Sequence, residues 1–358
     1  MFLDGPAQNG DNRAEALLSP SNVGQLHVKR VFANWVPDPG TLSYQVIVGG
    51  YGYSVVGGQN GLRNSYVAAF NLSSGQRVWR HLLGTAIFRP APAVIGGVLF
   101  VGGYGTMFAY NAVTGVSVWS TNVGNFTGGF NVTTVAAGIV YASTYGGTVY
   151  AFNAADGRIL WSRAPSGCCL TGPVSVSGGL AYVVTDHLTA YNALTGATVF
   201  SSPVKLQAED AAVSGGLAFV QGFVSGNTFK FDAFDASTGA LRWSRPFSCP
   251  PVTDCAGAPL VDGNTVVIGT QQDTIEAVSA STGMLLWTGY GAFTSAIANG
   301  VVYVEDSHLL LVALDESTGR MLFKGTYPCT ESVVSHGAVF ANCATPQSNY
   351  YAVTEYGV

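Results

Sequence analysis

Charged side chains make up only 10% of this 358-residue chain, with 15 Lys and Arg against 20 Asp and Glu, for a formal net charge of −5. The basic residues show no cluster along the sequence, which argues against a nucleic-acid partner. No apolar run reaches membrane-spanning length. Residues Met1 to Pro20 lack a charged start followed by an apolar core, so this numbering holds no signal peptide. No stretch repeats its apolar residues at the helical period. Also missing are H-E-x-x-H, a P-loop, a C-x-x-C pair and G-x-S-x-G, which removes the common signatures of zinc, nucleotide, dithiol and serine-hydrolase chemistry. Glycine pairs such as Gly49-Gly50 and Gly57-Gly58 precede no helix, so none is a dinucleotide fingerprint. The five histidines, His27, His81, His187, His308 and His336, have no ligand spacing. Asp186 beside His187 and Asp306 near His308 are explained more simply by turn or edge positions than by a functional pair.

Glycine, in contrast, is abundant at 46 residues, and one phrase returns seven times. It first reads Ala69, Phe70, Asn71, two variable positions, Ser74, Gly75, three more and Trp79, and its glycine recurs at Gly115, Gly157, Gly196, Gly239, Gly283 and Gly319, 36 to 44 residues apart. Four residues after each glycine comes an aromatic: Trp79, Trp119, Trp161, Phe200, Trp243, Trp287 and Phe323. A period near 40 marks an array of supersecondary units, because one unit cannot bury its apolar face without neighbours. Between glycines, β-branched and aromatic runs alternate with turn residues, four strands to each repeat, the content of a propeller blade. Seven phrases supply seven outer strands, and Val333-Val334, Ala338 to Ala341 and Tyr350 to Thr354 supply three more. Leu26 to Phe32 has no hairpin partner of its own, and pairing it with those three would close a ring and remove a sheet edge. The expectation is an all-β, eight-bladed β-propeller of four-stranded antiparallel blades. It forms one domain over residues 1–358, with 1–25 an extended lead-in and 26–34 the closing strand of the last blade.

The phrase A-[FYVL]-[NDS]-x-x-[TSD]-G-x-x-x-[WF] resembles the tryptophan-docking repeat of pyrroloquinoline-quinone-type (PQQ-like) β-propellers, in which the aromatic packs onto the neighbouring blade. The lead-in, Asn9-Gly10-Asp11 through Leu18-Ser19-Pro20-Ser21-Asn22-Val23-Gly24-Gln25-Leu26, is similar too. The family's aromatic in the amino-terminal strand is replaced near Arg30. The resemblance implies the fold over nearly the whole chain but not one activity, since the family includes quinoprotein alcohol dehydrogenases and a cofactor-free outer-membrane assembly scaffold.

Six cysteines permit a disulfide framework. Cys329 and Cys343 flank a hairpin turn, Ser335-His336-Gly337, and a register centred on His336 places them opposite, within bridging reach. Cys249 and Cys255 flank Pro250-Pro251 and are placed to close one loop. Cys168 and Cys169 are either bonded to each other or free. Three bridges imply an extracytoplasmic setting: periplasm, cell surface or secretion. The triplets at Asn71, Asn125 and Asn131 matter only in a glycosylating host.

Cys168-Cys169 follows Trp161 and precedes the next blade's inner strand. That placement is similar to the vicinal disulfide lying against the quinone in the dehydrogenases. Their downstream Asn-Arg-Gly run is replaced here by Leu170-Thr171-Gly172, and their pair follows the first docking phrase rather than the third. A second candidate set is Arg89, Glu209, Asp210, Glu305, Asp306 and Glu331, beside inner strands or their connecting loops. These groups either orient a polar ligand or calcium near the axis or are solvated loop charges. Loops such as Gly50-Tyr51-Gly52-Tyr53 and Asn125 to Phe130 carry aromatics that form a recognition surface or fill gaps between blades. The leading expectation is a non-catalytic extracytoplasmic scaffold that binds a protein partner or itself, with no catalytic residue, cofactor or metal. The alternative is a quinoprotein alcohol or sugar dehydrogenase using PQQ and calcium, and a further alternative is a carbohydrate-binding propeller.

Overall fold

In the computed structural model the described residues are 12, 14–32, 42–57, 64–85, 90–124, 129–144, 146–164, 172–205, 210–225, 228–248, 258–271, 273–344 and 351–358. Apart from one 3-10 turn at Val23–Gln25, the elements are strands. Four-stranded antiparallel sheets, each of sequence-consecutive strands, occupy residues 42–85, 93–122, 130–163, 175–201, 211–248 and 260–289. A seven-stranded sheet follows, running through Phe293–Ala298, Val301–Glu305, Leu310–Asp315, Met321–Ser335, Ala338–Ala344 and Tyr351–Gly357 to His27–Phe32 at its edge. The amino-terminal strand pairs antiparallel with Tyr351–Gly357, His27 opposite Gly357 and Phe32 opposite Val353.

Two turn types account for the repeated phrase. The first and second strands join through two residues that both have positive φ, as at Gly178-Gly179 with 58° and 78°, except at Gly263-Asn264, where only the glycine does; both geometries match strand twist and favour glycine. The third and fourth strands join through the phrase's [NDS]-x-x-[TSD]-Gly turn; at its second copy Asn111 Oδ1 accepts the amides of Val113 and Thr114 and the Asn111 carbonyl accepts that of Gly115. Glycine there meets a second demand: a Cβ on Gly196 would lie 2.6 Å from the Trp161 ring of the preceding sheet.

Each aromatic of the phrase pairs across its own sheet with an alanine, Trp79 with Ala69, Trp161 with Ala151 and Phe323 with Ala313 among them. The indole nitrogens reach the next sheet: Trp79 Nε1 donates to Ala112 O at 2.9 Å, Trp119 to Ala154 at 2.8 Å, Trp161 to Ala193 at 2.9 Å, Trp243 to Ala280 at 2.8 Å and Trp287 to Glu316 at 2.7 Å. Arg30 stands in the corresponding slot of the amino-terminal strand, opposite Glu355. Its guanidinium donates to the carbonyls of Leu72 and Ser73, the former in the place where indoles find theirs, and Phe32 supplies the ring near Gly75.

The core is shared between successive sheets. Val46, Tyr53, Val67 and Trp79 of the first pack with Leu99, Val101 and Tyr110 of the second, and corresponding clusters follow around the molecule. The circuit closes where Val56, Ala68 and Phe70 meet Phe32, Ala338, Phe340 and Val353. The lead-in is tied down beneath this seam. Leu18 and Val23 enter the core of the seven-stranded sheet, Asn12 donates to Val334 O at 2.6 Å, and Glu15 accepts the Gly337 amide at 2.8 Å.

Candidate functional site

Hairpin alternation sends the two turn types to one end of every sheet. The links between second and third strands, and between sheets, go to the other end. Of the residues singled out in the sequence, Arg89, Glu209, Cys168, Cys169, Cys249 and Cys255 lie outside the described residues. Asp210 is half-buried at the start of the strand Ala211–Ser214. Glu305, Asp306 and Glu331 gather on the seven-stranded sheet near the linking end, and none is a solvated loop charge.

Glu305 ends its strand 3% exposed. Ser295 Oγ donates to its two oxygens at 2.8 and 2.7 Å, and Ser332 Oγ donates to Oε1 at 2.6 Å. Both serines sit where the pairing slips, between Thr294 and Ala296 and between Thr330 and Val333, and such bulges re-aim side chains that a regular strand would send elsewhere. Burial pushes the Glu305 carboxyl above the usual range, against the Ser332 and Ser295 hydroxyls, which pull it down.

Asp306, also buried, is differently served. Oδ1 accepts the amides of His308 at 2.9 Å and Leu310 at 2.8 Å. Oδ2 meets Lys324 Nζ at 2.9 Å and the Tyr290 hydroxyl at 3.0 Å. Burial raises this carboxyl, but Lys324, the Leu310 amide, Tyr290 and the His308 amide together hold it below the ordinary value. Lys324 lies 4.4 Å from the Tyr290 ring centre, and its pKa is raised, chiefly by Asp306.

Glu331 has φ 59° within the bulge. Asn342 Nδ2 donates to its Oε2 at 3.0 Å, and Gln45 Nε2, from the first sheet, donates to Asn342 Oδ1 at 2.7 Å. Gln45 and Asn342 are each 1% exposed, so a polar chain crosses the seam between the first and last sheets. The same bulge corrects the expected hairpin register. The turn is His336-Gly337, with Ser335 opposite Ala338 and Val333 opposite Phe340, a register that would set Cys329 against Ala344. One extra residue at Glu331 and Ser332 restores Cys329 to Cys343, and the two are bonded, Cα atoms 4.0 Å apart.

Gln45, Ser295, Ser332, Asn342, Lys324 and Tyr290 were not singled out from the sequence. A signal existed: aligning the repeats places Gly102, Ser143, Val184, Gln221 and Gly269 in the slot of Glu305, with Asn342 next. Gln221 uses its place to donate to Gly269 O at 3.0 Å in the next sheet. Asp232 was missed as well. It is fully buried, no hydroxyl among the described residues reaches hydrogen-bonding geometry with it, and burial raises its carboxyl against the nearby Ser244 and Lys230.

The arrangement joins strands. Among the described residues no three of His, Cys, Asp and Glu converge on a point, and Glu305 spends both oxygens on serine hydroxyls inside the protein. Engaged in this way with serines and with Lys324, Glu305 and Asp306 do not fit a calcium-bound quinone.

The sequence model of the family described as outer membrane protein assembly factor BamB matches residues 63–171 and 184–332, more than half of the chain. The chain belongs to this family. Its members are PQQ-like β-propellers, and the likeness extends to solved quinoproteins. Quinohemoprotein alcohol dehydrogenase from Comamonas testosteroni superposes over 98% of this chain and 79% of its own with a TM-score of 0.68, at 13% identity, a likeness of fold alone. Among curated relatives, tetrathionate hydrolase of Acidithiobacillus ferrooxidans is 26% identical over 81% of this chain, and BamB of Burkholderia pseudomallei is 27% identical over 70%. The chain spans 56% of the length of the first and 68% of the second.

Proposed function

We propose that this chain is a single eight-bladed propeller, extracytoplasmic, which serves as a scaffold for a protein partner or for its own assembly without turnover of its own. The blade number counts the seven-stranded sheet as two blades that share Met321–Ser335, and the phrase aromatics act as docking wedges between blades. An extracytoplasmic setting suits the Cys329–Cys343 bridge, and no helix among the described residues is long and apolar enough to cross a membrane.

The observation that carries the scaffold reading lies on the outer strands. Of the residues before the seven phrase aromatics six are Val or Leu, Val78, Val118, Leu160, Val199, Leu286 and Leu322, with Arg242 the seventh; all but Leu322, which packs on the core of the seven-stranded sheet, are exposed. The first five are 37 to 50% exposed. An exposed apolar residue that recurs at one slot of successive outer strands supports an interaction surface, and polar replacement there costs the fold little. Sedimentation and quantitative affinity capture, each comparing the protein with a V118E/L160E/L286E variant, test this. Loss of self-association or of a captured partner in the variant is expected, and identical behaviour of the two proteins refutes the rim.

A second reading is favoured by the 26% identity to tetrathionate hydrolase over 81% of the chain: hydrolysis of a sulfur oxyanion at the linking end of the ring. Turnover of tetrathionate by purified protein would replace the scaffold reading with this one.

A further inference from the structure

Between Pro39 and Ala155 the chain holds no Asp or Glu at all, although 20 occur elsewhere; the same span carries Arg63, Arg77, Arg80 and Arg89. From Asp156 onward, acids outnumber Lys and Arg by 16 to 8. Basic residues are spread along the sequence, as first noted, but acidic ones are not, and the ring is electrically lopsided.

Folding concentrates the imbalance. Arg77 and Arg80 are exposed on the outer strand Arg77–Thr85 of the first sheet, and Lys29 and Arg30 are exposed on the outer strand His27–Phe32 of the neighbouring last sheet. Arg30 bridges the two through the carbonyls of Leu72 and Ser73. Arg80 lies 4.4 Å from the Tyr66 ring centre. Glu355 stands opposite Arg30 in the pairing, yet no ion pair joins any of the four cations to a carboxylate among the described residues.

Among the described residues no strand pairs with the edge beneath these charges. Arg77–Thr85 has 9 residues, the longest outer strand of the four-stranded sheets, and it contains no proline, whereas the 8-residue Leu241–Ser248 carries Pro246 within it. Proline and short length are common protections of exposed edges, and this edge has neither. Val78, Arg80 and Leu82 alternate outward while Trp79 and Leu83 face the core.

We infer that this edge docks an extended, acid-rich segment of a partner protein. The segment adds a strand to the first sheet, sets apolar side chains on Val78 and Leu82, and sets carboxylates against Arg77 and Arg80, with Lys29 and Arg30 flanking. Main-chain bonds supply affinity in such strand addition, and charge supplies selection. The inference rests on the scaffold reading and names the partner's chemistry.

The test is fluorescence anisotropy of a labelled Glu-Val peptide of about ten residues, V-T-E-T-V-T-E-T-V-T, whose one face reads Val, Glu, Val to meet Val78, Arg80 and Leu82, titrated with the full chain. Binding should weaken with added salt as exposed charges are screened, fall about tenfold or more in R77E/R80E, and persist in R77K/R80K. A Lys-Val peptide should bind the reversed variant, and N-methylation of alternate peptide amides should abolish binding. Failure of the Glu-Val peptide to bind, equal binding to R77E/R80E, or retention only on phosphatidylglycerol vesicles overturns the inference. Rim-dependent capture of a partner with a silent peptide would sink this edge and leave the scaffold reading standing.

Discussion

Gly179 and Gly196 belong to the same sheet and both have left-handed backbone, φ 78° and 67°, yet replacing each with alanine should have different consequences. At Gly179 a Cβ meets nothing within 4 Å, so the cost is the left-handed conformation alone, about 1 kcal/mol. At Gly196 the Cβ would lie 2.6 to 2.9 Å from three ring atoms of Trp161, closer than carbon atoms approach. The indole must move, weakening its bond to Ala193 O at 2.9 Å and its packing, which adds about 2 kcal/mol. G179A should therefore lose about 1 kcal/mol and G196A about 3 kcal/mol, read from chemical denaturation followed by far-ultraviolet circular dichroism. In a W161A background the added cost of G196A should fall back to about 1 kcal/mol, a coupling near 2 kcal/mol. Equal losses for the two glycines, or a G196A penalty that survives removal of Trp161, would refute inter-sheet docking as the reason for the glycine.

Three further outcomes follow from the seam and the buried polar groups. The Cys329–Cys343 bridge closes a loop of sequence separation 14, so C329A/C343A should lower unfolding free energy by about 3 kcal/mol, seen as a lower denaturation midpoint. Y141F should cost about 1 kcal/mol, because Tyr141 donates to Ala193 O at 3.0 Å; Y303F should be neutral or stabilising, because the buried Tyr303 hydroxyl has no partner among the described residues. Glu305 keeps its proton in the fold to higher pH than in the unfolded chain. Its contribution is therefore full below the unfolded value of about 4.3 and shrinks as pH rises toward the folded value. Asp306 runs the other way, stabilising above the unfolded value of about 3.9 and losing that contribution as pH falls through its lower folded value. Melting temperature against pH should flatten above pH ~4 in E305Q and below it in D306N.

The strands and phrase aromatics were legible because they answer local demands repeated around the molecule: paired positive φ at Gly178-Gly179, an Asn side chain capping its own turn, an aromatic four residues past a glycine. Charge at the candidate site was legible only as residue type. Glu305, Asp306 and Glu331 are each one residue in a strand or turn, and nothing local says whether such a group meets water, a ligand or a serine. Gln45 and Asn342 meet across 297 positions, a separation that no local pattern encodes.

The cysteine pair shows the division most clearly. Opposition of Cys329 and Cys343 could be expected from their spacing, but the expected register lacked its physical basis. A two-residue turn moves the cysteines apart by one position, and the bulge at Glu331 moves them back. By itself the sequence determined an array of four-stranded units and the recurring aromatic on each outer strand, because those choices depend on neighbours close in the chain. Only the tertiary structure decided that Arg30 takes the place of an indole at the seam, that the acids of the last sheet turn inward, and that an acid-free span becomes an exposed basic edge. Those outcomes depend on which strand lies beside which after the chain ends meet.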